Sequence, residues 1–445
     1  MSVDGCQRSL CYIRAMSKTT SNADLIARSL VSVWHPCTQM KHHQQFPLIP
    51  IVRGEGAWLI DADDNRYLDG VSSWWVNLFG HANARINAAL KSQLDQLEHT
   101  MLAGCTHEPV VALSERLSVL TGLGHAFYGS DGASAVEIAL KMSFHFWRNS
   151  GKPNKTKFVS LDGSYHGETI GALAVTDVAI FRDAYGPLLN QNLRAPFPVD
   201  DDAHAMAALE TLFAQRHDEI AAFIIEPLVQ GAAGMRMYAP SYLKRARALC
   251  DQYQVHLIAD EIMTGFGRTG TLFACEQADI RPDFMCLSKG LTGGYLPLSC
   301  VLTRNEIYAA FYDDDVARGF LHSHSYTGSA LACRAALATL DIFENDKVIA
   351  TNHEKAKRFT ELAQPIRHHA RVRNFRHLGM IWAFDADAIQ PQFARTFFAA
   401  ALVQGVLLRP IGNTVYFMPP YVVTDEEFAK LVTATTTVLN QLATA

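Results

Sequence analysis

Residues 282–294 read PDFMCLSKGLTGG. The run Phe284-Met285-Cys286-Leu287 is apolar at every position, as a strand buried on both faces would be, and it stops at Ser288, Lys289 and a glycine-rich turn. Similar runs precede it. HAFYG (125–129) leads into SDGAS, KFVSL (157–161) into DGSYHG, AAFII (221–225) into Glu226-Pro227, and VHLIA (255–259) into Asp260-Glu261. Helical text separates them: Val136, Leu140, Phe144 and Trp147 recur at spacings of four, four and three, and LKRARALCDQY (243–253) follows the same period. Strands joined by crossover helices imply an α/β fold with a mostly parallel, doubly wound sheet. In such sheets ligands bind beyond the carboxyl ends of the strands, where the polar residues of this chain collect.

The flanks have a different pattern. PLIPIVRGEGAWLIDADDNRYLDG (47–70) alternates like short antiparallel strands, with Asp63, Asp64 and Asn65 as turn residues. Helical text from about Leu331 leads to the strand-like VLLRP (406–410) and NTVYFMP (413–419), then to a last helix. Residues 16–75 and 331–445 are therefore expected to join into one small α+β domain beside a large domain spanning 76–330. Residues 1–15 are expected to be a tail outside the fold, or to precede a true start at Met16.

A chain of 445 residues, 49% hydrophobic, suits a globular protein with a sizeable core. Its formal net charge of -5 offers no basic surface for nucleic acid, and no apolar run nears the roughly 18 residues that a membrane span needs. Nine cysteines (Cys6, Cys11, Cys37, Cys105, Cys250, Cys275, Cys286, Cys300 and Cys333) form no Cys-x-x-Cys pair. Free thiols in a reducing cytoplasm are the expectation.

Lys289 raises the chemical question. A lysine at a strand end can simply extend its ammonium to water. A desolvated amine with a depressed pKa is instead a nucleophile toward an aldehyde. Pyridoxal 5'-phosphate, the aldehyde cofactor in question, needs three supports, and the strand ends offer a candidate for each. Asp260 would face the pyridine nitrogen, although an aspartate after a strand also suits a helix N-cap. Gly132 opens a helix whose amides suit a phosphate, as an ordinary strand-to-helix turn would also look. Tyr165 could stack on the ring. GFGRTG (265–270) matches the dinucleotide pattern but follows no strand directly and precedes a poor helix. His322 and His324 have no companion ligands at metal-site spacing, so no metal is expected.

ADEIMTGFGRTG (259–270) followed by CLSKGLTGG (286–294) closely resembles the class III, or omega, aminotransferases among the fold-type I pyridoxal-phosphate enzymes, with Asp260 and Lys289 as the paired residues. The likeness runs from about Trp34 to the C-terminus. Within the class, WHPCTQM (34–40), SSWW (72–75), IIEPLVQGAAGMRMY (224–238) and LLRPIGNTVYFMPPY (407–421) are most similar to members that aminate 8-amino-7-oxononanoate in biotin synthesis with S-adenosylmethionine as donor. The alternatives are another omega-aminotransferase acting on a diamine or omega-amino acid, or the same reaction with lysine as donor.

The resemblance implies that Lys289 bonds to the cofactor and later moves the substrate proton, that Asp260 faces the ring nitrogen, and that Gly132 and Ala133 hold the phosphate. It gives Tyr165 to the ring and substrate, and His324 and Ser325 to the phosphate across a homodimer interface that shares the active sites. Trp74 would line the substrate channel, Ser323 would sit at the substrate, and Arg409 would bind the keto acid carboxylate. Glu226 would support the ring by hydrogen bonding. Trp74 and Trp75, read as adjacent strand residues, would point to opposite faces. Three positions depart from the pattern: Cys37 stands where an aromatic residue often follows His-Pro, Ala133 replaces a frequent serine, and Ser323-His324 replaces Gly-Pro.

Overall fold

The computed structural model describes residues 21–46, 48–199, 202–387 and 392–442; Cys6, Cys11, Met16 and the proposed tail lie outside them. The apolar runs assemble into one seven-stranded sheet in the order His125–Gly129, Ser299–Thr303, Phe284–Leu287, His256–Asp260, Ile220–Ile225, Lys157–Leu161, Leu193–Ala195. Ser299–Thr303 runs antiparallel to both neighbours and the other six strands are mutually parallel.

The central strands are buried on both faces because each face has its own helical cover. Ala222, Ile224, Ile258 and Phe284 pack against Val136, Ile138 and Ala139 of the helix Gly132–Asn149. Phe223, Ile225, Leu257 and Met285 point the other way, into the core that includes Leu243 and Ala246 of the helix Pro240–Gln252. Alternate residues of each strand thus serve opposite layers, as the period of two requires. Each fully buried Ile or Phe contributes about 1.5–3 kcal/mol.

Ile51–Glu55, Trp58–Asp61 and Arg66–Asp69 form an antiparallel meander. Val406–Leu407, from the far end of the chain, lies parallel to its last strand with Leu68 opposite Val406 and Asp69 opposite Leu407. That pairing brings Ser72–Trp75 and Arg409 out at the same end of neighbouring strands. A second small sheet pairs Val372–Leu378, Ile381–Ala386 and Thr414–Phe417 in antiparallel order.

GFGRTG forms irregular turns, not a strand-to-helix phosphate loop. Gly267 and Gly270 take φ of +90° and +105°, and only the short 3-10 turn Ala274–Ala278 follows. Arg268 is buried and donates to the carbonyls of Pro419 (2.9 Å) and Asn77 (3.0 Å), so the motif clamps two distant segments together. Among the described residues no helix is long and apolar enough to cross a membrane. No group of three or more His, Cys, Asp or Glu among them could hold a metal ion.

Candidate active site

Lys289 opens a short 3-10 turn immediately after Ser288, with a left-handed backbone (φ 46°) unusual for a side-chain-bearing residue. Its ammonium lies 4.8 Å from the centre of the Trp75 ring, within cation–π range. Burial lowers the pKa of the amine, while Asp260 and Glu226 pull the other way.

Asp260 ends the neighbouring parallel strand and is buried. One carboxylate oxygen accepts from the amide of Ile262 (3.2 Å), and the other lies 2.7 Å from His166 Nδ1. An ionised carboxylate only accepts, so the ring N–H donates. His166 comes from the GSYHG loop and is a site residue that the sequence reading did not pick out; its partner is 94 positions away.

Tyr165, beside it, donates its amide to Glu226 Oε1 (3.0 Å) and its hydroxyl to Glu168 (2.8 Å). Burial, then Glu168, push its phenol well above the ordinary range, and Cys37 is near enough to contribute. Glu226 takes a second amide, that of Gly231, at 3.0 Å. Its burial raises the carboxyl to about 7.

The helix Gly132–Asn149 begins at the edge of this cluster. Asp131 caps it by accepting from Ser134 N (3.0 Å), while the amides of Gly132 and Ala133 have no partner among the described residues. Two free amides at a helix N-terminus suit a phosphate. The glycine has a further reason: a Cβ there would approach Ile262 side-chain atoms at 3.1 Å and 3.2 Å. His324 stands beside the cradle, its ring nitrogens 3.4 Å from Ser130 Oγ of the same chain. Ser323 and Ser325, on either side of it, are exposed.

The SSWW stretch departs from the strand reading. Ser72, Ser73, Trp74 and Trp75 have φ of 51°, 47°, 74° and 72°, a left-handed helical turn closed by Val76 N to Ser72 O at 3.0 Å. Such a turn costs about 1–2 kcal/mol per residue, so its surroundings must hold it. Trp75 is buried beneath Lys289, and its Nε1–H donates to Tyr416 Oη (3.0 Å). Trp74 is 45% exposed and lies under Arg409, whose guanidinium carbon is 4.6 Å from the ring centre. Arg409 is exposed and makes no ion pair among the described residues.

A partly buried amine that can bond to an aldehyde, a buried carboxylate for a ring nitrogen and two free amides for a phosphate fit pyridoxal 5'-phosphate. The comparisons agree. The model of the family "Aminotransferase class-III" matches residues 38–439.

The chain belongs to the class-III aminotransferases.

It is a pyridoxal-phosphate-dependent enzyme with the mixed α/β fold of that class. It is 49% identical over 429 residues to the adenosylmethionine-8-amino-7-oxononanoate aminotransferase of Helicobacter pylori, covering 94% of this chain and 98% of the relative. A solved structure of the Methanocaldococcus jannaschii protein of the same name superposes with a TM-score of 0.90 at 36% identity, covering 94% of this chain and 98% of that one. An amine transaminase from an uncultivated Pseudomonas species, solved with PLP bound, gives 0.87 at 32% identity, over 92% and 99%.

Proposed function

We propose that this aminotransferase passes an amino group to 8-amino-7-oxononanoate, giving 7,8-diaminononanoate for biotin synthesis, with S-adenosylmethionine as donor. The observation that carries the choice of acceptor is Arg409. An exposed guanidinium laid on an indole, with no carboxylate of its own among the described residues, is prepared for a carboxylate brought by the substrate. Its indole, Trp74, belongs to the same short turn as Trp75, the indole under Lys289, so a substrate gripped by Arg409 through its distal carboxylate presents its keto end to the lysine.

Pyridoxal phosphate, when bound, supplies an aldehyde carbon that accepts the nitrogen and a ring that withdraws electrons from the substrate carbon. The rest is work for the chain's own residues. Lys289 Nζ, whose ammonium form burial disfavours, takes the proton from the substrate carbon and returns it. Asp260, steadied by His166, holds the proton on the ring nitrogen. The Gly132 and Ala133 amides bind the phosphate, and Tyr165 and Glu226 border the ring. In a homodimer, His324 and Ser325 of one copy would complete the phosphate site of the other, with Ser323 next to the substrate.

Cys37 favours a second reading in which lysine is the donor. It lies near Tyr165, is exposed, and cannot stack on an adenine as an aromatic side chain would, a contact worth about 1–3 kcal/mol per base elsewhere. Single-turnover bleaching of the visible absorbance by each donor decides between the two. S-adenosylmethionine is expected to react, and Cys37→Tyr to tighten it while leaving the keto acid unchanged. Fast reaction with lysine and none with S-adenosylmethionine would reverse the donor assignment.

A further inference from the structure

Four consecutive side-chain-bearing residues in a left-handed turn do not persist by themselves; the Ser72 hydroxyl donates to Met418 O (2.7 Å) and the Trp75 indole to Tyr416, and one buried carboxylate makes three further bonds to the turn. Asp69 Oδ1 accepts the amides of Val71 (3.3 Å) and Ser73 (3.0 Å), and Oδ2 accepts the Ser73 hydroxyl (2.7 Å). His81 Nε2 lies 3.1 Å from the same Oδ2, and its Nδ1 is 3.2 Å from Asn77 Nδ2, so the segment leaving the turn is bound back to the residue that starts it. Asp69 has no solvent exposure. It is also the strand residue opposite Leu407, two positions before Arg409.

We propose that Asp69 is a positioning residue for amino transfer: by holding Ser72–Trp75 left-handed, it sets the Trp75 face under the Lys289 amine and the Trp74 face under the Arg409 guanidinium in one fixed register. It touches neither the substrate nor the reacting atoms. The two cations belong to opposite ends of the site, one where the nitrogen is exchanged and one where a carboxylate is gripped. A right-handed or extended path through the same four residues would move both indoles. The role assigned here to Arg409 rests on the acceptor proposed above, and that assigned to Lys289 does not.

Asp69→Asn is the informative change, because it keeps the volume but turns one acceptor into an N–H donor facing the Ser73 hydroxyl and His81. Two quantities are read beside the melting temperature: the rate at which enzyme stripped of cofactor regains its visible absorbance on adding pyridoxal phosphate, and the KM for the keto acid. The variant is expected to melt within a few degrees of wild type, to reload about tenfold more slowly, and to show a KM raised about fivefold. Adding Ser73→Gly, which removes the Cβ strain at φ 47°, is expected to restore most of both losses. If Asp69→Asn does not fold, Ser73→Ala deletes only the hydroxyl bond and is expected to slow reloading about threefold. Reloading within about twofold of wild type in Asp69→Asn overturns the proposal, as does a reloading loss that Ser73→Gly leaves unrescued, or reloading unchanged in Ser73→Ala where that variant stands in, whereas slowed reloading with an unchanged KM supports the Lys289 role and removes the one at Arg409. Reloading uses no amino substrate, so it is decided apart from the identity of the acceptor.

Discussion

His166 Nδ1 lies 2.7 Å from Asp260 Oδ2, both groups are buried, and the other nitrogen of the ring, Nε2, has no hydrogen-bond partner among the described residues. A buried orphan nitrogen on a histidine this close to the key carboxylate marks the ring as fixed by that one bond. His166→Phe keeps an aromatic ring of similar size and removes the donor. Losing a charge-assisted hydrogen bond costs about 1.5–3 kcal/mol, so turnover is expected to fall about ten- to a hundredfold while cofactor is retained. Steady-state kcat beside the visible absorbance spectrum checks both halves.

Lys289→Ala is expected to abolish turnover and to leave no covalent link that borohydride can trap. Asp260→Asn is expected to keep some cofactor and lose most of the rate, because an amide cannot hold a proton on the ring nitrogen as a carboxylate does. Mass spectrometry after reduction distinguishes the two variants: a cofactor-sized adduct on Asp260→Asn and none on Lys289→Ala.

Arg409→Ala removes the guanidinium above Trp74. The KM for the keto acid is expected to rise about ten- to a hundredfold, with the half-reaction of the donor little changed. Single-turnover absorbance measured separately for the two half-reactions tests this split, and equal losses in both would remove the keto acid from the arginine.

His256 begins the strand that Asp260 ends, and it ties that strand to the phosphate-cradle helix through Ser143 Oγ at 2.9 Å. Burial lowers its pKa from 6.5 to about 3, with Asp283 opposing. The unfolded chain therefore binds a proton at this position that the folded chain refuses. Stability from this group is present above pH 6.5 and is lost as pH falls toward about 3. His256→Phe is expected to remove about 1.4 kcal/mol per pH unit from the slope in that window, read from denaturant unfolding at several pH values.

Much of the catalytic edge is legible in the sequence, for a physical reason. A strand covered on both faces is apolar along most of its length, so FMCL, AAFII and VHLIA stand out, and the polar residues that follow each mark the sheet edge where Lys289, Glu226 and Asp260 sit. The antiparallel strand Ser299–Thr303 is less visible, because SCVLT follows a glycine and proline stretch and is followed only by the five-residue helix Asn305–Ala309, too short to signal a crossover. The left-handed turn is invisible. Nothing in Ser-Ser-Trp-Trp announces positive φ without a glycine, and its cause, Asp69, acts through a local network that has no sequence period. His166 went unread for a related reason: it matters through Asp260, and only the fold brings the two together.

The central claim is that this chain transfers nitrogen from S-adenosylmethionine to 8-amino-7-oxononanoate. The purified enzyme, given that keto acid and S-adenosylmethionine labelled with nitrogen-15 in its amino group, should form 7,8-diaminononanoate carrying one heavy nitrogen, and the Lys289→Ala variant should form none. Enzyme with its cofactor bound that yields no labelled diamine under these conditions would contradict the account.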